Sequence, residues 1–422
     1  VIQRLSVFLF AIVLFSPAQE PVIRVNTRLV QVSVIVHDHS GRPVADLRQD
    51  DFTLLDRGRP QKIAFFSMYA EDAARTASVS RPANLFSNRS GDDVNIPPSV
   101  TIVLMDVLNT HFEDQKQVRE GVIAFLEKMR PEDRVALYGL GREVRVLHDF
   151  TTSPERLLRA LAKYRGRVPI ELETSEANPP DSTGDDDFDT FLKGMQEQMS
   201  DFVNTDRALR TYYALEAIAD HVSALPGRKN LVWISGGFPL TLGTDPLNPN
   251  LQSSSTLGAD PLGKTLRDRR TFIEEGLRAA RAMSNANVAI YPVDARGTRI
   301  DRNDTAASDA RSSKRGIGAF NHTAVPVDQN FDTMGQLADK TGGRAFFNNN
   351  DFAGAIAQAV DDARITYTLG FYPDSEPDDR YHELKVKVNR SGLDVRYRKS
   401  YLDSADAPLR RKPGRCRLSA PW

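Results

Sequence analysis

Three stretches of this chain, "VTIVLMD", "NLVWISGG" and "NVAIYPVD", are almost wholly apolar until each ends in an acid or a glycine pair. A strand with one wet face alternates apolar and polar residues. A run this continuous is buried on both faces, as in a parallel sheet covered by helices. "RVALYGLG" reads as a fourth strand of the same kind. Between the runs the apolar residues keep helical spacing. Val118, Val122, Phe125, Leu126 and Met129 share a face before Pro131, as do Ala214, Ile218, Val222 and Leu225 before Pro226 and Gly227. "TSPERLLRALAKY" opens with Ser153 as N-cap and Pro154 at the first helical position. Strands alternating with helices predict an α/β domain with a doubly wound, mostly parallel sheet.

The two ends of the chain follow another rule. In "RVNTRLVQVSVIVHD", Val30, Val32, Val34 and Val36 fall on one face, with Gln31 and Ser33 opposite, the pattern of a half-buried antiparallel strand. "DDFTLLDRGRP" and "QKIAFFSM" add two short strands. So few strands bury no core. The missing ones are "ITYTLGFYP", "YHELKVKVNRSG" and "LDVRYRKSYL", with Ser391-Gly392 predicted as a hairpin turn. The expectation is an all-β, sandwich-like domain built from both termini, residues 20–70 plus 365–402. The α/β domain, 98–364, is inserted within it after a linker over 71–97.

With 55 basic against 56 acidic residues the net charge is −1, so no global field draws the chain to nucleic acid. The start, "VIQRLSVFLFAIVLFSPAQE", has Arg4, an apolar run from Leu5 to Phe15, and small residues at Ser16 and Ala18. That layout predicts a signal peptide over 1–18 cleaved near Ala18, with an uncleaved anchor as the alternative. The expected location is outside the cell or in the periplasm or cell envelope, with no membrane span in the mature chain. The single cysteine, Cys416, forms no internal disulfide. It lies in a basic tail, 403–422, with Arg410, Arg411, Lys412, Arg415 and Arg417, read as a disordered terminus.

Catalytic motifs are not signalled. Ser235 in "WISGG" lacks the Gly-x-Ser-x-Gly elbow, and the seven histidines form no His-Glu-x-x-His pattern. "TGGRAFF" follows a helix and precedes a strand, so it reads as a helix C-cap and turn rather than a phosphate loop. The acidic run "DDDFD" lacks the spacing and glycine of a calcium loop and is read as a solvated charged loop.

Taken in order, "VTIVLMDVLNT", "DRVALYGLGREVRVLHDFTTSPERLLRAL", "GRKNLVWISGGF", "ANVAIYPVDARG" and "LADKTGGRAFF" resemble a von Willebrand factor type A domain. With the flanks "VSVIVHDHSGRPVADLRQDDFTLLDRGRPQKIAFFS" and "HELKVKVNRSGLDVRYRKSYL", the chain resembles the secreted bacterial VWFA-related proteins of the acidobacterial type. The resemblance implies a type A, Rossmann-like sheet and a metal-ion-dependent adhesion site. Such a site takes an Asp-x-Ser-x-Ser loop, a threonine from a second loop and an aspartate after the fourth strand, because a hard divalent cation prefers oxygen ligands. Asp106 and Thr110 match the ends of the first element, and Thr205 in "FVNTDRAL" matches the second-loop threonine. Leu108 replaces a serine, and Gly236 stands where the acid would be, after Ser235. The implied site is degenerate: a weakly bound magnesium or calcium ion or none, with Asn109 or Asp206 as substitute ligands. The competing reading is structural. Thr110 and Glu113 have the spacing of a capping box, and Asp106 then organises the strand-to-helix loop.

Long polar insertions at about 166–203, 238–268 and 296–330 would gather at the carboxyl ends of the parallel strands, where open α/β sheets bind ligands. Asn109, Asp206, Ser235 and Asp294 belong to that face. The expected function is a secreted or envelope, non-catalytic module for adhesion or scaffolding that binds a protein or cell-surface partner. The alternatives are an exported hydrolytic enzyme and a structural envelope component.

Overall fold

The computed structural model describes residues 29–70, 99–237, 264–298 and 327–403, apart from 167, 177–181, 226, 375 and 379. The expected signal peptide, the linker and nearly all of the basic tail with Cys416 lie outside the described residues.

The central sheet has five strands in the order β7-β6-β5-β8-β9. They are β5 (Ser99–Asp106), β6 (Val135–Leu140), β7 (Val144–Thr151), β8 (Arg228–Ser235) and β9 (Val288–Asp294). Four run parallel, and β7 pairs antiparallel with β6 at the edge. The helices are α1 (Phe112–Leu126), α2 (Pro154–Lys163), α3 (Ile170–Glu176), α4 (Asp186–Val222), α5 (Lys264–Asn285), α6 (Val327–Thr341) and α7 (Phe352–Asp361). One face of the sheet packs on α4, α5 and α6 through Ile102, Leu104, Tyr212, Ile218, Met283 and Leu337. The other packs on α1, α2 and α7 through Val103, Val122, Phe125, Leu157, Val232 and Ile356. Burial on both faces is why β5, β8 and β9 carry no alternation.

The remaining strands form two four-stranded sheets that combine both ends of the chain. One has the order β12-β1-β10-β4, the other β13-β11-β2-β3. Their members are β1 (Val30–Asp38), β2 (Phe52–Asp56), β3 (Arg59–Gln61), β4 (Phe65–Ala70), β10 (Ile365–Phe371), β11 (Arg380–Val388), β12 (Leu393–Tyr397) and β13 (Ser400–Asp403). Val32, Val34, Tyr367 and Leu369 from one sheet share a core cluster with Leu54, Leu384 and Val386 from the other. The hairpin expected at Ser391-Gly392 is corrected here. The chain turns there, with Gly392 at φ +76°, but β11 pairs with β2 and β13 while β12 pairs with β1. The turn carries the chain from one sheet to the other, so both strands turn apolar residues into the shared core.

A second correction concerns the acidic insertion expected as a loop over 166–203. Much of it is helix. Asp185 caps α4 by accepting from the amides of Asp187 and Phe188, and Asp186, Asp187 and Asp189 occupy its first turn. Acids there satisfy orphan N–H groups and oppose the helix dipole, so "DDDFD" is a helix start and not a solvated loop. The insertions at 238–268 and 296–330 lie mostly outside the described residues.

Candidate functional site at the carboxyl edge of the sheet

Neighbouring strands to the left of β5 come next in sequence, and those to its right come later, so the strand order reverses between β5 and β8. At such a point the carboxyl ends of open α/β sheets form a crevice. Asp106 ends β5, Ser235 ends β8 and Asp294 ends β9, with Ser235 in register with Asp294.

Asp106 is 2% exposed and saturated by protein donors. Its Oδ2 accepts from Asn109 Nδ2 at 2.8 Å, Ser235 Oγ at 2.9 Å and Trp233 Nε1 at 3.0 Å, and its Oδ1 accepts from the Asn109 amide at 3.1 Å. Burial raises the carboxyl pKa, and these donors pull the other way. Asn109 passes the network on. Its Nδ2 also donates to Thr211 Oγ1 at 2.9 Å, and its Oδ1 accepts from Arg207 Nη2 at 3.1 Å and Nε at 3.3 Å. Arg207 and Thr211 sit on α4, one helical turn apart, and both are buried.

These residues do not fit a divalent cation. Such an ion needs a shell of oxygen lone pairs. Here both Asp106 oxygens are occupied by donors, and a guanidinium stands on the far side of Asn109. Leu108 is packed in the core. A side chain at position 236 would set its Cβ 2.8 Å from Asn109 O and 3.1 Å from Thr110 Cα, so the missing acid has no room.

The other expected ligands are placed as follows. Thr110 is buried, and its Oγ1 accepts from the Gly236 amide at 2.9 Å. The capping box is therefore corrected: α1 has His111 as N-cap and no side-chain cap, because Thr110 is engaged across the sheet. Thr205 is not among the bonds around Asp106. The threonine that α4 brings into the network is Thr211. Asp206 pairs with Arg210 on its own helix. Asp294 is buried and accepts from the Arg296 amide and guanidinium at 2.8 to 3.1 Å. Ser235 is wholly buried, so its hydroxyl is not presented to substrate.

Beside this network, a pocket is lined by Met105, Thr110, Gln115, Arg119, Leu161 and Tyr164, among others. Gln115 donates to Thr110 O and Arg119 to Tyr164 O, so backbone carbonyls already engage these polar groups. Among the described residues, the one grouping with metal-ligand spacing lies elsewhere, in the antiparallel sheets.

No protein-family profile matches the chain, and no curated protein sequence does. Solved structures give faint likenesses. The vWF domain of the type V pili tip protein Mfa5 from Porphyromonas gingivalis matches at 11% identity and TM-score 0.32, covering 62% of this chain and 94% of that one. An aerotolerance-related membrane protein from Bacteroides fragilis matches at 12% identity and TM-score 0.28, covering 62% and 98%. The SpRpn10 VWA domain matches at 14% identity and TM-score 0.21, covering 46% and 74%. At these TM-scores neither a shared fold nor an activity follows from the likeness.

Sequence reasoning missed Trp233, Arg207 and Thr211. Trp233 had a signal, as the one side chain in "NLVWIS" combining a large apolar body with an N–H that needs an acceptor when buried. Arg207 and Thr211 had none, since only the packing of α4 brings them to Asn109.

Proposed function

We propose that this chain is a secreted or cell-envelope, non-catalytic binding module. In this reading a von Willebrand factor type A-like domain, 98–364, is inserted in a β-sandwich-like domain from both termini and holds a protein partner at the carboxyl edge of its sheet. The observation that carries the reading is an apolar stripe on α4. Phe188, Phe191, Met195, Met199 and Phe202 recur at steps of three and four residues, so they share one helix face. Each is about half exposed or more, and Phe202 is 69% exposed. Phe188 and Phe191 stack with ring centroids 6.4 Å apart. Phe112 at the start of α1 and Ile170 at the start of α3 are exposed as well.

Arg207 marks where α4 meets the end of β5. Upstream of it the helix continues for about 30 Å at 1.5 Å per residue. α3 packs against it, and α3 is tied down where Arg142 meets Glu171 at 2.6 Å. A contiguous exposed apolar face marks a contact surface, and a helix of this kind fits an apolar groove. The acids in the first turn of α4 give the patch a negative rim, which suits a groove bordered by cations. Hydrolysis is the weaker reading for this face, because Ser235 is buried and its hydroxyl donates to Asp106 rather than to a histidine.

The test is photo-crosslinked capture of envelope proteins from the native host, using the full chain and a Phe191→Glu, Met199→Glu variant. A partner should be held by the wild type with or without magnesium and calcium, and lost from a variant whose circular dichroism and melt are unchanged. Equal capture by both chains would sink the proposal, as would capture that needs magnesium.

A further inference from the structure

The geometry points to a binding site for a zinc-like divalent metal ion in the antiparallel sheets, formed by Asp378, His382 and Asp403. One ligand atom from each lies within 4.8 Å of the others. His382 Nε2 is 3.1 Å from Asp378 Oδ1 and 3.5 Å from Asp403 Oδ2. Zinc bonds to imidazole nitrogen and carboxylate oxygen at about 2.0–2.2 Å in tetrahedral sites, which sets neighbouring ligands about 3.3–3.5 Å apart. The two separations from the imidazole nitrogen therefore already stand near the edge lengths of such a polyhedron, and the two carboxylate oxygens lie within 4.8 Å of each other.

The surroundings of the imidazole supply an independent argument. His382 Nδ1 faces Asp56, at 3.1 and 3.2 Å from its two oxygens, and Tyr401 donates to Asp56 Oδ2 at 2.9 Å. A carboxylate held in this way keeps the ring proton on Nδ1 and leaves the Nε2 lone pair for a metal, the usual support of a metal-binding histidine. That lone pair is aimed at Asp378 and Asp403, which are acceptors too. Three acceptors converge, and a cation between them reconciles all three.

Charge points the same way. Asp56, Asp378 and Asp403 surround one imidazole, and Arg57 meets this group at Asp378 Oδ2, 2.7 Å away, on its outer side. The framework is rigid: His382 is in register with Tyr401 across the β11–β13 ladder, and Asp403 ends β13. His382 and Asp403 are buried, while the Asp378 side chain is 32% exposed, so an ion has a way in from that side. The Arg380 amide fixes Asp378 Oδ1 at 3.0 Å. Imidazole with carboxylates suits zinc and its neighbours better than magnesium, which prefers oxygen alone. A bound ion would pin the end of β13 and the backbone at Asp378 to β11.

The experiment uses the full chain, stripped with EDTA, dialysed and titrated with zinc chloride by calorimetry, with metal content measured after gel filtration. One zinc per chain should be retained and the melt should rise. Asp378→Asn, at the exposed position, should keep its circular dichroism and lose at least tenfold in zinc affinity. Cobalt(II) in place of zinc should give visible absorption bands that the variant lacks. Failure to retain zinc would overturn the proposal and leave His382 as a hydrogen-bonded link among the carboxylates. Zinc retained equally by the wild type and Asp378→Asn would also overturn it, by placing the ion elsewhere.

Discussion

Asp106→Ala removes the acceptor that joins three elements. Four donors reach its carboxylate, but they do not lose equally. Ser235 Oγ also has Gly237 O at 3.3 Å, and Asn109 Nδ2 keeps Thr211. The Trp233 indole N–H and the Asn109 amide bear most of the loss, at about 1–3 kcal/mol for each buried donor deprived of its acceptor. Removing a buried carboxylate returns part of that, because burial has already raised its pKa. The net loss should be about 2–4 kcal/mol, or roughly 4–15 °C in the melt of a domain of this size. Tryptophan emission is the natural probe, since Trp233 bonds directly to Asp106. The loss should be the same in EDTA and in magnesium. The pH dependence has a definite sign. A carboxyl raised on folding contributes stability that is fully present below its unfolded pKa of about 3.9 and is lost as pH rises through the folded value. The gap between wild type and variant should therefore narrow from acid toward neutral pH. If the variant instead matches the wild type in EDTA, and magnesium stabilises the wild type alone, Asp106 is a metal ligand and the structural account fails.

Three further outcomes are expected. Burial raises Glu216 to about 7, so its contribution is fully present below about 4.3 and lost by pH 7. Glu216→Gln should then be the more stable protein above pH 7, by about 1–2 kcal/mol once solvent screening is allowed for; equal melts at pH 8 would contradict this. Gly343→Ala would set a Cβ 1.8 Å from the backbone oxygen of Ile290, so it should cost at least about 2–3 kcal/mol in denaturant unfolding, and a neutral substitution would disprove the close approach. Deleting residues 366–402 removes the partners of β1, β2 and β4 and should open new protease cleavage between Val30 and Phe66; an unchanged digest would mean that the N-terminal strands hold together alone.

What the sequence determined by itself is what depends on neighbours within a turn or on one strand's two faces. The unbroken apolar runs of β5, β8 and β9 specified strands covered on both sides, because only a doubly covered sheet removes every one of those side chains from water. Ser153 and Pro154 marked the start of α2, where the serine accepts from the Arg156 amide, and Thr341-Gly342-Gly343 marked the end of α6, where Gly342 takes φ +76°. Local chemistry also misled where a long-range partner competed for the same atom. Thr110 has the spacing of a cap, but the Gly236 amide, 126 residues away, takes its oxygen. The tertiary structure alone chose Thr211 over Thr205, set Arg207 against Asn109, and brought Asp56 and Asp403 to the His382 imidazole. Each of these convergences joins side chains through the packing of whole helices and sheets. No spacing along the chain encodes them, since the distance between two such atoms is fixed by every element packed between them.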